Sequence, residues 1–342
     1  MTGLDLPLIA AGVTALAVLL YVAADGFDLG VGILFPLARS AEDRDVMMNT
    51  IAPFWDGNET WLVFGGVGLF ACFPTAYAVL LPALYLPVLL MLIALVLRGV
   101  AFEFRFRASG RGRFIWAVAF SGGSILAAVA QGFILGGFIQ GMTVRAGAFA
   151  GGPLDWLTPY TVLVTGGVVT GYALLGATWI VLRTQDELHG RARRWAWKAV
   201  IATMLFLVAV SLATLWIHPK VAMRWGIEAG RLDWSRLLLV SPVPLLGLFG
   251  AGLVLFGLKG KAHVTPFLGA LLIFLSGFIG LAVGFAPYVV PYALTLWDAA
   301  TEHNSMVLLL SAFAVMLPLI LGYSAYVYWL FRGKVTADAA YH

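Results

Sequence analysis

Apolar residues run through this chain in blocks far longer than the core-facing stripe of a soluble helix. A helix needs about 20 apolar residues to cross the hydrocarbon of a bilayer. Blocks of that kind run from Leu6 to Phe35, Ile51 to Leu80, Pro82 to Phe104, Phe114 to Gln140 and Pro159 to Leu182. Four more run from Ala196 to Ile217, Leu237 to Leu258, Thr265 to Val290 and Met306 to Phe331. Polar residues gather in short runs between them. The second block is the least continuous, because Ala52-Pro53 and Gly57 interrupt its start. The pattern predicts an all-α integral membrane protein with nine transmembrane helices and no soluble domain.

Composition agrees. Of 342 residues, 61% are hydrophobic and only 11% charged, against about 25% charged in a soluble domain. Mean hydropathy is +0.95. The net charge of +4 does not argue for nucleic acid, because the basic residues sit in short loops between apolar spans. Cys72 is the only cysteine, so an internal disulfide, a thiolate metal cluster and a redox CxxC pair are all excluded. The first block lacks a basic leading region and carries Asp5, which reads as a retained helix and not a cleaved signal.

Lys and Arg set the expected orientation. With nine spans and the N-terminus outside, the inner loops hold 15 basic residues: Arg39, Arg44, Arg105, Arg107, Arg111, Arg113, Arg183, Arg191, Arg193, Arg194, Lys198, Lys259, Lys261, Arg332 and Lys334. The outer loops hold 5, namely Arg145, Lys220, Arg224, Arg231 and Arg236. The positive-inside rule then puts the N-terminus outside and the C-terminus in the cytoplasm.

Acids inside apolar blocks carry the candidate chemistry, since a carboxylate in hydrocarbon costs several kcal/mol unless paired, hydrated or protonated. Asp25 and Asp28 lie one helical turn apart near the inner end of the first block. Asp56 and Glu59, also three apart, open the second. Arg98 and Glu103 close the third. Six ionisable side chains from three consecutive spans are thus expected at one inner membrane level, with Trp55 and Asn58 beside the second pair. A structural reading has Arg98 neutralise one or two acids and, with Glu103, Trp55 and Asn58, lock three helices together. A functional reading makes Asp56, Asp25, Asp28 and Glu59 a path for protons. Four acids against one intramembrane base favour the second, because some carboxyls must be hydrated or protonated.

Other features carry less. Gly26-xxx-Gly30, Gly132-xxx-Gly136, Gly137-xxx-Gly141 and Gly167-xxx-Gly171 predict close helix packing. The basic stretch from Arg183 to Lys198 suits anionic lipid headgroups. Trp225 and Trp234 in the loop from His218 to Arg236 are expected at the interface, as is Trp297, with Asp298 a cap or loop acid; the alternative for Trp297-Asp298 is contact with a quinone headgroup at the outer interface. His189, His218, His263, His303 and His342 all fall at span ends, in loops or at the C-terminus. A pair of intramembrane haem ligands is therefore not expected, Met91 offers at most a single axial bond, and no zinc or copper constellation is visible. The tail from Lys334 is expected to fray.

Several motifs resemble subunit II of the cytochrome bd quinol oxidases. They are Asp25-Gly26-Phe27-Asp28-Leu29-Gly30-Val31-Gly32, Asn49-Thr50-Ile51-Ala52-Pro53, and Trp55-Asp56-Gly57-Asn58-Glu59-Thr60-Trp61-Leu62. Phe73-Pro74, Tyr77, Leu97-Arg98-Gly99-Val100-Ala101-Phe102-Glu103 and Leu294-Thr295-Leu296-Trp297-Asp298-Ala299 continue the likeness over nearly the whole chain. Trp297 to Ser305 is nearer the cyanide-insensitive branch. The resemblance implies a subunit of an electrogenic, bacterial inner-membrane oxidase that oxidises quinol and reduces oxygen to water. It implies two four-helix bundles, about residues 1–140 and 159–290, and a ninth helix at about 306–331. It places two haems b and one haem d in partner subunit I, leaving none bound by this chain alone and no metal site in it. It leaves room for a structural quinone, at residues unknown, and for a small accessory subunit beside membrane lipid. It also makes Asp56 part of a proton path, and puts Glu59 second to it, because some relatives have Gln there. A proton-coupled secondary transporter is the alternative, disfavoured because matching broken helices near the midplane are not visible.

Overall fold

The computed structural model describes residues 4–228, 231–260 and 263–335; Lys261 and the tail at 336–342, with His342, lie outside the described residues. The described chain is helical nearly throughout. It begins with α1 (Leu6–Leu34), α2 (Ala41–Asn49), α3 (Trp55–Cys72), α4 (Pro74–Ala83), α5 (Tyr85–Arg107) and α6 (Gly110–Gln140). It continues with α7 (Pro159–Arg183), α8 (Asp186–Ile217), α9 (Pro219–Arg224) and α10 (Trp234–Val240). The last four are α11 (Pro242–Lys259), α12 (Thr265–Phe285), α13 (Leu296–Ala299) and α14 (His303–Leu330). Three two-residue to three-residue hairpins, starting at Val144, Ile227 and Tyr288, close the loops between α6 and α7, α9 and α10, and α12 and α13.

Among the described residues, eight helices are long and apolar enough to cross a membrane, and the pair α3 and α4 makes a ninth if taken as one span. That pair departs from the straight second span expected over Ile51 to Leu80. The helix starts only at Trp55 and bends by 120° at its break. The cause lies at Phe73, which precedes Pro74: the proline ring pushes Phe73 out of the helical region, to φ −132° and ψ 59°. Differences elsewhere are at ends. α8 begins ten residues before its apolar stretch, because Asp186 to Lys198 forms a polar first third. The seventh block splits into α10 and α11 just before Pro242, and the eighth ends at Phe285 as the chain enters a hairpin.

α1 is the axis of the molecule. It packs on α3 and α6 and, across the middle, on α7. The approach to α7 needs glycine: a Cβ on Gly30 would collide with the backbone of Tyr172 and Gly176. α6 meets the same helix through Gly132 and Gly136, against Thr165 and Thr161. These two small-residue faces stack three backbones closely. Below them, Phe27 stacks on Trp179 at 4.1 Å and Phe54 on Tyr328 at 4.6 Å. The last third of α1, from Asp25 to Leu34, is buried at nearly every residue.

Candidate functional site

That buried third of α1 carries Asp25 and Asp28 into the interior on one face. α3 supplies Asn58 and Glu59 from its first turns, and α5 supplies Arg98. Arg98 joins all three helices. Its Nη1 donates to Asp25 Oδ1 at 2.6 Å, and its Nη2 donates to a Glu59 carboxylate oxygen. Asp25 is fully buried and Arg98 only 2% exposed, whereas the Glu59 side chain is 28% exposed. One guanidinium thus spans from an interior carboxylate to one at the molecular surface.

A second arm holds Asp28. Asn58 Nδ2 donates to Asp28 Oδ2 at 2.7 Å, and the Tyr328 hydroxyl donates to Asn58 Oδ1 at 2.7 Å. Asp25 Oδ2 and Asp28 Oδ1 are buried with no hydrogen-bond partner among the described residues. The arrangement therefore has three carboxyl groups, one guanidinium and two open acceptor atoms in an apolar surround.

Four of the six ionisable groups expected together do meet: Asp25, Asp28, Glu59 and Arg98. Asp56 and Glu103 are exposed instead. Helical geometry gives the reason. At 3.6 residues per turn, Asp56 is about 200° around α3 from the buried Asn58, and Glu103 is about 140° around α5 from Arg98. Of the two acids on α3, Glu59 and not Asp56 touches the arginine. Trp55 is a packing residue, its ring 5.4 Å from Phe102 and against Gly99 on α5.

Some of the neighbourhood was invisible from local motifs. Tyr328 lies 270 residues from Asn58 in the chain. Tyr172 donates to Gln131 Oε1 at 2.6 Å, and Gln131 Nε2 donates to the Tyr21 hydroxyl at 2.7 Å, one turn before Asp25. A glutamine in the middle of an apolar span was the available signal, because amides in such positions cross-link helices. The short α2 forms a further polar clamp. Asp45 accepts from Arg105 Nη1 at 2.8 Å and from Arg113, and Asp43 pairs with Arg191.

The four described histidines lie at helix ends or in loops. His218 stacks on Tyr292 at 4.0 Å, and burial followed by the nearby Lys220 pushes its imidazole down. His303 borders a cavity of about 240 Å³ with Leu6, Thr301 and Trp297. Trp297 is 52% exposed, with its indole N–H 3.1 Å from Asp5 Oδ2. Asp298 closes a capping box with Thr295, whose hydroxyl and amide hold its carboxyl below the usual carboxylate range. Trp234 is exposed, while Trp225 packs beside Val221 and Phe285. Among the described residues, no three His, Cys, Asp or Glu side chains are grouped to hold a metal ion, and Met91 is buried in the apolar core.

A family model described as cytochrome bd terminal oxidase subunit II matches residues 6–331. Among curated proteins, the cytochrome bd-I ubiquinol oxidase subunit 2 of Escherichia coli (strain K12) is 28% identical, over 93% of this chain and 92% of that one. The cytochrome bd ubiquinol oxidase subunit 2 of Bacillus subtilis (strain 168) is 29% identical, over 91% of each. Among solved structures, a chain of the bd oxidase from Geobacillus thermodenitrificans superposes with a TM-score of 0.76. That match covers 96% of this chain and 99% of the other at 18% identity, a likeness of fold.

Proposed function

The chain belongs to the cytochrome bd terminal oxidase subunit II family, and from that membership we propose that it serves as a haem-free subunit of a quinol oxidase in a bacterial inner membrane. Haems held by a partner subunit I would carry out oxygen reduction. This chain's own part is to support that partner and to deliver protons towards it. In the same reading α1, α3, α5 and α6 form one four-helix bundle, α7, α8, α11 and α12 a second, and α14 the ninth span. The exposed stripe of Thr60, Val63, Val67 and Phe70 on α3 repeats every three to four residues, the spacing of a helix-packing seam. It is the face we assign to subunit I.

The observation that carries the proton role is the Arg98 fork between buried Asp25 and half-exposed Glu59. One guanidinium cannot balance two fully buried carboxylates and a half-exposed third, so the cluster's low-energy states hold protons. Arg98 keeps its charge throughout. When either carboxyl in its fork is protonated, the other still compensates the guanidinium, so a proton can change sides without stranding a buried charge. Asp56, exposed one turn before Glu59, would collect protons from water. Asp28, with its open Oδ1, would receive them beyond Asp25. The basic asymmetry of the loops makes the source the cytoplasm.

A purely structural lock is favoured by one feature, the full burial of the Arg98–Asp25 pair. Asp28→Asn separates the two readings, because Asp28 is not bonded to Arg98 and an asparagine oxygen can still accept from Asn58. In the assembled complex, quinol-dependent oxygen uptake per haem should fall at least about tenfold with haem content intact, the scale of a lost proton-transfer group. Full uptake at full haem content would leave the lock as the better account.

A further inference from the structure

α7 ends in a buried cation to which the described residues bring no counter-charge. Arg183 is 5% exposed, its Nε has no hydrogen-bond partner, and no described carboxylate pairs with it. Its guanidinium lies 5.5 and 5.3 Å from the ring centroids of Phe54 and Trp179. Those contacts offset part of the desolvation of the charge, but a lone buried cation remains costly.

More positive charge surrounds it. Lys334 Nζ donates to the Thr184 carbonyl at 3.0 Å and lies 3.4 Å from that of Val181. His189 Nδ1 is 3.1 Å from the same Val181 oxygen, and its ring meets that of His263 edge-on at 4.9 Å. Arg193 donates to the carbonyls of Gly260 and Leu258. Burial and then Arg183 push the Lys334 ammonium below the ordinary lysine range. Burial, then Lys334 and Arg193, push His263 down. No described acid acts on either of them. The carbonyls satisfy donors but carry no charge.

The position in the fold identifies the missing anion. α7 and α14 end here, and α8 and α12 begin here, so the apolar spans stop at this level and the phosphates of a bilayer lie beside it. Basic pockets between helix ends are sites where acidic headgroups settle. We propose that Arg183, Lys334, His189, His263 and Arg193 bind the phosphate of one anionic phospholipid headgroup, docking a lipid between α7, α8, α12 and α14. Lys334, His189, Arg193 and His263 form the accessible rim, and Arg183 supplies the buried charge beneath.

Native mass spectrometry of the intact complex tests this with phosphatidylglycerol, phosphatidylcholine and inorganic phosphate as probes. The parent complex should retain a phosphatidylglycerol that phosphatidylcholine does not replace and that inorganic phosphate does not displace. Lys334→Gln, beyond the end of α14 and with an amide that can still donate to the Thr184 carbonyl, should weaken that retention about fivefold. Lys334→Gln with His263→Asn should abolish it. Unchanged retention in the double variant, equal retention of phosphatidylcholine, or displacement by inorganic phosphate would each overturn the assignment. So would stronger retention in Asp338→Asn, which would make the chain's own tail the counter-charge.

Discussion

The Tyr328 hydroxyl donates to Asn58 Oδ1 at 2.7 Å, fastening the last membrane helix to the start of α3. The bond does more than join two helices. By occupying the amide oxygen it turns Nδ2 towards Asp28, which accepts from it at 2.7 Å. Tyr328→Phe keeps the ring stacked on Phe54 but leaves a buried acceptor unpaired, at a cost of about 1–3 kcal/mol. The expected outcome is a lower Tm for the assembled complex with haem content unchanged. An unchanged Tm would mean that Asn58 finds another donor.

Arg98 is the only described base in contact with Asp25 and Glu59. Arg98→Leu would strand Asp25 in the interior, and breaking such a pair costs about 3–5 kcal/mol. The amount of assembled complex recovered from membranes should fall sharply. Arg98→Lys should restore it only in part, because an ammonium cannot reproduce a planar fork to two carboxylates. Normal yield and activity in Arg98→Leu would mean that these acids are neutral or hydrated without it.

The 15 basic residues against 5 in alternate loops predict a cytoplasmic C-terminus. A reporter active only in the cytoplasm should be bright when fused after His342, and one active only outside should be silent. The reverse pattern would move the Asp25 end of the helices to the outer face and remove the cytoplasmic source of protons.

Much of the fold was legible because the apolar blocks are long and the interruptions chemical. Pro159 starts a helix where proline is tolerated, and Gly30 and Gly132 marked close approaches that the packing uses, whereas the break before Pro242 fell inside one apolar block. The bend at Phe73 was harder to read, since Phe73-Pro74 sits inside an otherwise continuous apolar run. At the site, the three-residue spacing of Asp25 and Asp28 correctly put both on one face. For Asp56 the same spacing left its neighbours open, because a shared face of α3 says nothing about which neighbour that face meets. Glu59 lies at the edge of the buried side and Asp56 beyond it. Tyr328 could not be found from spacing at all, because its place depends on how α14 crosses α3.

The central claim is that the fork at Arg98 conducts protons, and Asp25→Asn tests it most directly. An asparagine oxygen at position 25 can still accept from Arg98 Nη1, and Glu59 still compensates the guanidinium, so the lock between helices persists. Only the ability to carry a proton is lost. The measurement is proton uptake from the medium, followed with a pH-indicator dye, when the quinol-reduced complex is mixed with oxygen, with haem content determined on the same preparation. The account predicts full haem content and proton uptake slowed at least about tenfold. Uptake at the parental rate in a variant with full haem would contradict it.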